Sequence, residues 1–279
     1  MRDNGATAAD DDLVIPASTT RLTGPTLGID IGGTGIKAAV VDVATGRLLS
    51  DRIRIPTPHP MSPSAVIDTV ADVVGQLEAA GHLATGTSGG ACFPSVIQGG
   101  TAMTAVHGER SWIGVSVQAL LEQRLGRQIA VINDADAAGV AEVAYGAGKG
   151  HRGVVLLLDL GTGIGTALFL DGGLIPNLQL GHVEIHGRDA ESRLSPAARL
   201  QRKIGWKTWG REFNELLARY EAYLWPHLII VGGGTSKEFP KFAQYLKTGA
   251  PLVVASMGGM AGIIGAARVG AYLASATLE

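Results

Sequence analysis

The chain has a single cysteine, Cys92, among 279 residues. It can therefore form no internal disulfide and no cysteine-rich zinc site, and it suits a reducing cytoplasm. Charge is sparse as well: 17% of residues are charged, and 23 Lys+Arg against 25 Asp+Glu leave a net charge of -2. That balance lacks the clustered positive charge of a nucleic-acid groove or a membrane-surface patch, so neither partner is expected. Long apolar runs are missing too. The most apolar window, 153–170 (GVVLLLDLGTGIGTALFL), carries Asp159 at its centre and glycines beyond it. This reads as two buried strands joined by a turn, not a membrane span. The first 25 residues are small and polar, with a run at Asp10–Asp12 and no apolar stretch fit for a signal peptide, and are expected to be a flexible tail.

Glycine, by contrast, is abundant: 40 residues, about twice the usual ~7%. With 46% hydrophobic residues to build a core, the chain is expected to fold, and the question becomes where the glycines serve. The pattern predicts strands near 26–31, 36–43 and 47–55, a helix over 63–80 opened by Pro63, and shorter strands near 87–91 and 101–105. A helix near 115–125, a strand at 128–132 and a helix at 135–145 follow. After Gly146-Ala-Gly-Lys-Gly150 the pattern restarts. Strands are expected at 153–160, 164–170, 227–231 and 251–255, and helices at about 195–204, 208–224, 236–247 and 260–274. Strands mixed with helices in both halves indicate an α/β protein of two lobes, residues 26–145 and 146–279, with the C-terminal helix free to pack back on the first.

The halves share a motif. Leu27-Gly-Ile-Asp30-Ile-Gly-Gly-Thr-Gly35 opens the first, and Leu156-Leu-Leu-Asp159-Leu-Gly-Thr-Gly163 opens the second. A repeat spaced by nearly half the chain suggests a duplicated domain, and two facing lobes make a cleft for a small molecule. In each copy an apolar strand ends in Asp and is followed by a Gly-Thr-Gly turn. Either copy alone could be a tight hairpin with structural glycines. Two copies in corresponding positions favour phosphate binding: the backbone comes close to the ligand and its N–H groups converge on phosphate oxygens. Gly32, Gly33, Thr34, Gly161, Thr162 and Gly163 are the candidates. A strand-end aspartate, with Asp30 preferred, would hold hydrated Mg²⁺. A third turn, Gly232-Gly233-Gly234, precedes a predicted helix and suits a further phosphate or a nucleotide, or else is a helix cap.

Strand 128–132 ends in Asn133-Asp134-Ala-Asp136. One cap explains one polar residue in such a run, not three. Asp134 is the candidate general base, accepting a proton from an attacking sugar hydroxyl, and Asn133 a hydroxyl-binding amide; Asp136 reads as a first-turn carboxylate. A second polar cluster, Gln179-Leu-Gly-His182-Val-Glu184 with Glu191, has the planar groups that bind sugar hydroxyls. His182 alone reads more readily as a structural histidine, and His182, Glu184 and His186 lack a well-spaced fourth metal ligand.

Taken together, Asp30-Ile-Gly-Gly-Thr-Gly-Ile-Lys37, Asn133-Asp-Ala-Asp-Ala-Ala-Gly139, Leu160-Gly-Thr-Gly-Ile-Gly165, Leu180-Gly-His-Val-Glu184, Ile230-Val-Gly-Gly-Gly-Thr-Ser-Lys237 and Ala261-Gly-Ile-Ile-Gly-Ala-Ala267 resemble the ROK sugar kinases, and within them the bacterial polyphosphate glucokinases. The resemblance runs in order over residues 27–274. It implies the actin-like, hexokinase-like (ribonuclease H-like) fold with an interlobe cleft. It also implies phosphoryl transfer from ATP or polyphosphate, with Mg²⁺ and without zinc, to the 6-hydroxyl of a glucose-type sugar. It makes Asp134 the base, gives Asn133, His182 and Glu191 to the sugar, and places Asp30, Gly32, Gly33, Thr34, Lys37, Gly161, Thr162 and Gly163 about the donor phosphates, to which the third turn adds Gly233 and Gly234 as candidates. Homodimers are common in such proteins, and a cytoplasmic location is expected. Two departures bear on the sugar. Gln179 stands where relatives carry Glu, and His107 where they carry Asn; by resemblance both face the 2- and 3-hydroxyls. Glucose and an analogue altered at C2 or C3, such as the amino sugar kanosamine, therefore remain alternatives. A catalytically silent, sugar-sensing relative is the reading from another class.

Overall fold

The apolar runs pair into two sheets of the same design. The computed structural model describes residues 22–106 and 108–276; most of the expected tail and the sugar-site candidate His107 lie outside them. In the first lobe the strands are β1 (Pro25–Gly32), β2 (Gly35–Asp42), β3 (Arg47–Leu48), β4 (Ile53–Ile55), β5 (Gly89–Phe93), the hairpin β6 (Ile97–Gln98) and β7 (Thr101–Ala102), and β8 (Ile129–Asn133). The helices are α1 (Pro63–Ala79), α2 (Val117–Leu125) and α3 (Asp134–Tyr145). The second lobe continues with β9 (Val154–Leu160), β10 (Ile164–Leu170), β11 (Gly173–Ile175), β12 (Glu184–Ile185), β13 (Arg188–Asp189), α4 (Ala190–Leu194), α5 (Pro196–Gln201), α6 (Trp206–Leu224), β14 (Leu228–Gly232), α7 (Phe239–Phe242), β15 (Leu252–Val254) and α8 (Ala261–Ala276).

The first sheet runs β3-β2-β1-β5-β8 and the second β11-β10-β9-β14-β15. In both, an antiparallel hairpin (β1 with β2, β9 with β10) is followed outward by two parallel strands. The duplication expected from the two Asp–Gly-Thr-Gly motifs is thus a duplication of topology, and it places Asp30 and Asp159 at equivalent strand ends. The apolar window 153–170 is the β9–β10 hairpin, as its central Asp159 implied. Among the described residues no helix is long and apolar enough to cross a membrane.

Each lobe has its own core. Helix α1, with Pro63 in its first turn and Val66, Val70, Val73, Val74 and Leu77 along one face, covers one side of the first sheet. Helix α6 buries Trp209, Phe213, Leu216, Leu217 and Tyr220 against the second. The helices that follow the last strand of each sheet cross over. Helix α3 leaves β8 and packs on β9 and β10, whereas α8 follows β15 and packs on β1, β5 and α3. Their contact is unusually close. A Cβ on Gly28 would meet the backbone of Ile263, one on Gly90 that of Ala266, one on Gly265 that of Ala137 and one on Gly270 that of Gly89. Much of the glycine excess therefore serves helix-on-sheet packing, alongside the turns to which the sequence assigned it.

Three expected elements differ. The strand expected over 47–55 is two short strands, β3 and β4, both paired with β2 but broken between them. The strand expected over 101–105 is only the two-residue β7. The helix expected over 236–247 is broken into a 3-10 turn (Gly234–Glu238), the single turn α7 and a second 3-10 turn (Ala243–Tyr245). Pro240 has no N–H to continue the preceding turn, and Glu238 and Phe242 leave helical geometry.

Candidate active site

The ends of β1, β8 and β9 bring three carboxylates into one electrostatic neighbourhood. Asp30 and Lys37 are register partners on the β1–β2 hairpin, and Lys37 Nζ lies 2.6 Å from Asp30 Oδ2. Asp134 opens α3, and its carboxyl is pushed up to about 6, chiefly by burial; the Ala135 N–H opposes the shift and the Asp30 carboxylate adds to it. Asp159 rises to about 7 through burial and then through the charges of Asp134 and Asp30. The Cys92 thiol lies beneath them, 3.7 Å from Asp30 Oδ1, and is itself pushed up by burial and by the same two aspartates, Asp30 first. It is an inert part of the floor.

Asn133 is the N-cap of α3. Its Oδ1 accepts from Ala135 N–H at 2.9 Å and Asp136 N–H at 3.2 Å, and its Nδ2 donates to Ser95 O at 3.0 Å. The Asn133 side chain also hydrogen-bonds the Asp134 carboxyl, which opposes that group's upward shift. Asp136 is more than a first-turn carboxylate: it is fully buried, accepts from Asn177 N–H at 2.8 Å, and its carboxyl rises to about 7 mainly through burial.

The glycine turns lie at the strand ends. Arg54 reaches across the first, donating to Thr34 O at 2.7 Å, and Thr57 Oγ1 donates to Gly32 O. In the second, Gly161 and Thr162 are exposed, while Glu191 Oε2 accepts from Ile164 N–H at 2.7 Å and lies directly against Gly163. Glu191 thus braces the second turn with Oε2. Gly233, at φ 75°, fits only as glycine, because a Cβ would meet the Leu160 backbone and the Asp159 carboxylate. Gly234 is exposed and opens a five-residue 3-10 turn, not the helix a nucleotide site was expected to use.

On the sugar side, His182 closes a 3-10 turn, Leu180–His182, and is half exposed. Its Nδ1 is 2.6 Å from Asp189 Oδ2, which leaves Nε2 for a ligand. Burial pushes the Asp189 carboxyl up, but the Ser192 N–H and His182 outweigh it and hold the group below its ordinary value. Gln179 is exposed, and its side chain makes no cap bond to the turn it precedes. Sequence reasoning missed Asp189, although Asp189-Ala-Glu-Ser192 is a legible N-cap pattern. It also missed Asn177 and Glu142, for which no local signal exists.

Mg²⁺ favours oxygen ligands and commonly uses one or two carboxylates with phosphate oxygens and water. The donors here fit that mode. Asp30 already has Lys37 as a counter-cation, whereas no hydrogen bond or ion pair to the Asp159 carboxylate is found among the described residues. No cluster of three or more His, Cys, Asp or Glu side chains able to hold a metal occurs among the described residues. Asp159, equivalent to Asp30 in the second sheet and without a cationic partner, would be the better placed of the two carboxylates for such an ion.

A paired-sheet scaffold with an aspartate at each equivalent strand end is matched from outside. The model of the ROK family covers residues 26–193. The chain belongs to the ROK family. It is 41% identical over 253 residues to the polyphosphate glucokinase of Mycobacterium tuberculosis, a match covering 90% of this chain and 92% of that one. The crystal structure of the inorganic polyphosphate/ATP-glucomannokinase of Arthrobacter sp. strain KM superposes with a TM-score of 0.86 at 45% identity, over 90% of this chain and 100% of that one. A ROK glucokinase of Streptomyces griseus, solved with glucose and AMPPNP, shares the fold at a TM-score of 0.74 and 24% identity, over 88% of this chain and 99% of that one. The expected two-lobed fold and the ROK membership are both borne out.

Proposed function

We propose that this ROK protein is a glucokinase-type phosphotransferase that uses ATP or polyphosphate to phosphorylate the 6-hydroxyl of glucose. The observation that carries the reading is the convergence of Asp30 and Asp159, at matched strand ends beside two glycine turns, with Asp134 at the start of α3, in a chain 41% identical to a polyphosphate glucokinase. Asp134 is the base. A carboxyl poised near 6 is largely ionised at neutral pH yet basic enough to accept the hydroxyl proton as the oxygen attacks phosphorus. The N–H groups of the turns at Gly32–Thr34 and Gly161–Gly163 receive the donor phosphates, and Lys37 adds a charge-assisted donor. Gly233 lies against the Asp159 carboxylate, and Gly234, exposed beside it, lines the same side. Mg²⁺, held by Asp159 and Asp30, would neutralise charge on the transferred group. Asn133 and His182 bind sugar hydroxyls, His182 through Nε2, and Glu191 offers Oε1 to the sugar while its Oε2 holds the second turn in place.

Gln179 is the position at which glucose is told from an analogue altered at C2 or C3. Its exposed amide supplies a donor where a carboxylate would only accept. The test is a panel of glucose, mannose, 2-amino-glucose and kanosamine with ATP and with polyphosphate, scored by sugar phosphate formed. Turnover of glucose with either donor is expected, together with a Gln179→Glu variant whose preference between glucose and the amino sugars changes about tenfold or more. Sugar binding without any turnover would favour the silent sensor instead.

A further inference from the structure

The segment that carries Gln179 and His182 is fastened on two sides. Its own lobe holds it through Thr166, whose Oγ1 donates to Leu178 O at 2.7 Å and accepts from Leu180 N–H at 3.1 Å. Tyr220 donates its hydroxyl to Leu180 O at 2.9 Å, and Gly181 lies so close to Ile164 that a Cβ would strike its carbonyl. The other fastening is a single residue, Asn177. Its Oδ1 accepts from Ile97 N–H at 2.9 Å and its Nδ2 donates to Ile97 O at 2.6 Å, so its amide imitates a strand partner for β6 in the opposite lobe. Its own N–H goes to Asp136 Oδ2 at 2.8 Å. The hold is local and specific. Asn177 takes a left-handed backbone, φ 63°, which asparagine tolerates better than most residues. Asp136 is fully buried, and its Oδ1 has no partner among the described residues. A buried carboxylate with a free oxygen is costly, and its retention beside Asn177 is accounted for if the bond sets a geometry that matters elsewhere.

We propose that Asn177 is a positioning residue that sets the Gln179–His182 segment against the first lobe, and so sets the affinity for the sugar. The chain of contacts is continuous. Ile97 lies two residues from Ser95, whose carbonyl holds Asn133, and Asn133 caps the helix that carries Asp134 and Asp136. Asn177 therefore refers the sugar-facing segment of the second lobe to the same frame that holds the base. The proposal rests on the sugar-kinase reading and names a determinant of its acceptor side, leaving the donor side untouched.

Asn177→Gly is the clean variant. It keeps the left-handed backbone and the N–H to Asp136 and removes only the two bonds to Ile97. Calorimetry should show glucose binding weakened about tenfold, the scale of two net hydrogen bonds. AMPPNP affinity should be unchanged and kcat at saturating glucose within about twofold, with the melting temperature lowered by only about a few degrees for the two bonds lost, a split that a general loss of structure does not give. Asn177→Asp keeps the acceptor for Ile97 N–H but loses the donor, should weaken glucose in the same sense, and carries the test if the glycine variant does not fold. Glucose affinity within twofold of wild type in the folded variant, or parallel loss of glucose and AMPPNP, overturns the proposal. Wild-type protein that binds glucose but forms no sugar phosphate overturns the kinase reading instead, and the binding comparison still decides Asn177.

Discussion

Lys37 meets Asp30 across the third rung from the β1–β2 turn, 2.6 Å apart, so one of the three clustered carboxylates reaches the cleft already paired with a cation. Replacing Lys37 with Met leaves Asp30 without its counter-cation beside two other acids. The donor side should suffer most: kcat/KM for ATP and for polyphosphate is expected to fall about 10- to 100-fold, the scale of a charge-assisted hydrogen bond. Glucose affinity should change little. Steady-state kinetics with each substrate varied in turn checks this.

Asp134 as base predicts both a magnitude and a pH dependence. Asp134→Asn should lower kcat by about 10²–10⁴-fold with glucose affinity largely kept. In the wild type, kcat/KM should rise with pH through about 6 and flatten above it, because only the ionised carboxyl accepts the proton. A profile flat between pH 5 and 8, or an asparagine variant as fast as wild type, removes Asp134 from the role.

The same cluster sets an opposition between stability and activity. Asp134, Asp136 and Asp159 are all raised above the ordinary carboxylate value, to between about 6 and about 7. The folded protein therefore holds these protons more tightly than the unfolded chain, and stability contributed by their neutral forms is lost as pH rises from about 4 to about 7. Asp159→Asn should raise the melting temperature at pH 8, flatten its decline between pH 5 and 8, and sharply reduce turnover while increasing the Mg²⁺ concentration needed for half-maximal rate. Thermal melts across pH and a Mg²⁺ titration read all three.

The close approach of α8 to the first sheet gives a stability prediction without a catalytic counterpart. A methyl group at Gly90 would collide with the Ala266 carbonyl. Gly90→Ala should cost about 1–3 kcal/mol through overpacking, measurable by urea denaturation, and the surviving folded fraction should retain wild-type kcat.

The strand ends, the duplicated motif and the Asn133-Asp134 junction were legible because each is a local pattern: an apolar run stopped by an acid, a turn of glycines, a cap before a small-residue helix. What stayed hidden depends on elements far apart in the chain. Gly28 and Gly90 fall inside expected strands, but nothing near them announces that α8 lies against them, so their packing role was not legible. Glu142, buried in α3, accepts from Ala147 N–H, Met257 N–H and Ser256 Oγ and ties the helix to the segment before α8; its neighbours in sequence give no hint of it. The scaffold bonds of Glu191 to the second turn and of Asn133 to Ser95 join residues far apart in the chain and needed coordinates.

The exchange of α3 and α8 between the sheets has a consequence for how the molecule is made. The first lobe is synthesised first, yet the helix that covers β1 and β5 is among the last segments to be added. Until synthesis reaches Ala261–Ala276, the glycine-lined face of the first sheet has no cover, so the lobe made first completes its core last. A chain stopped before residue 261 would lose the roof of the opposite lobe, and domain-by-domain folding during translation is closed to this architecture.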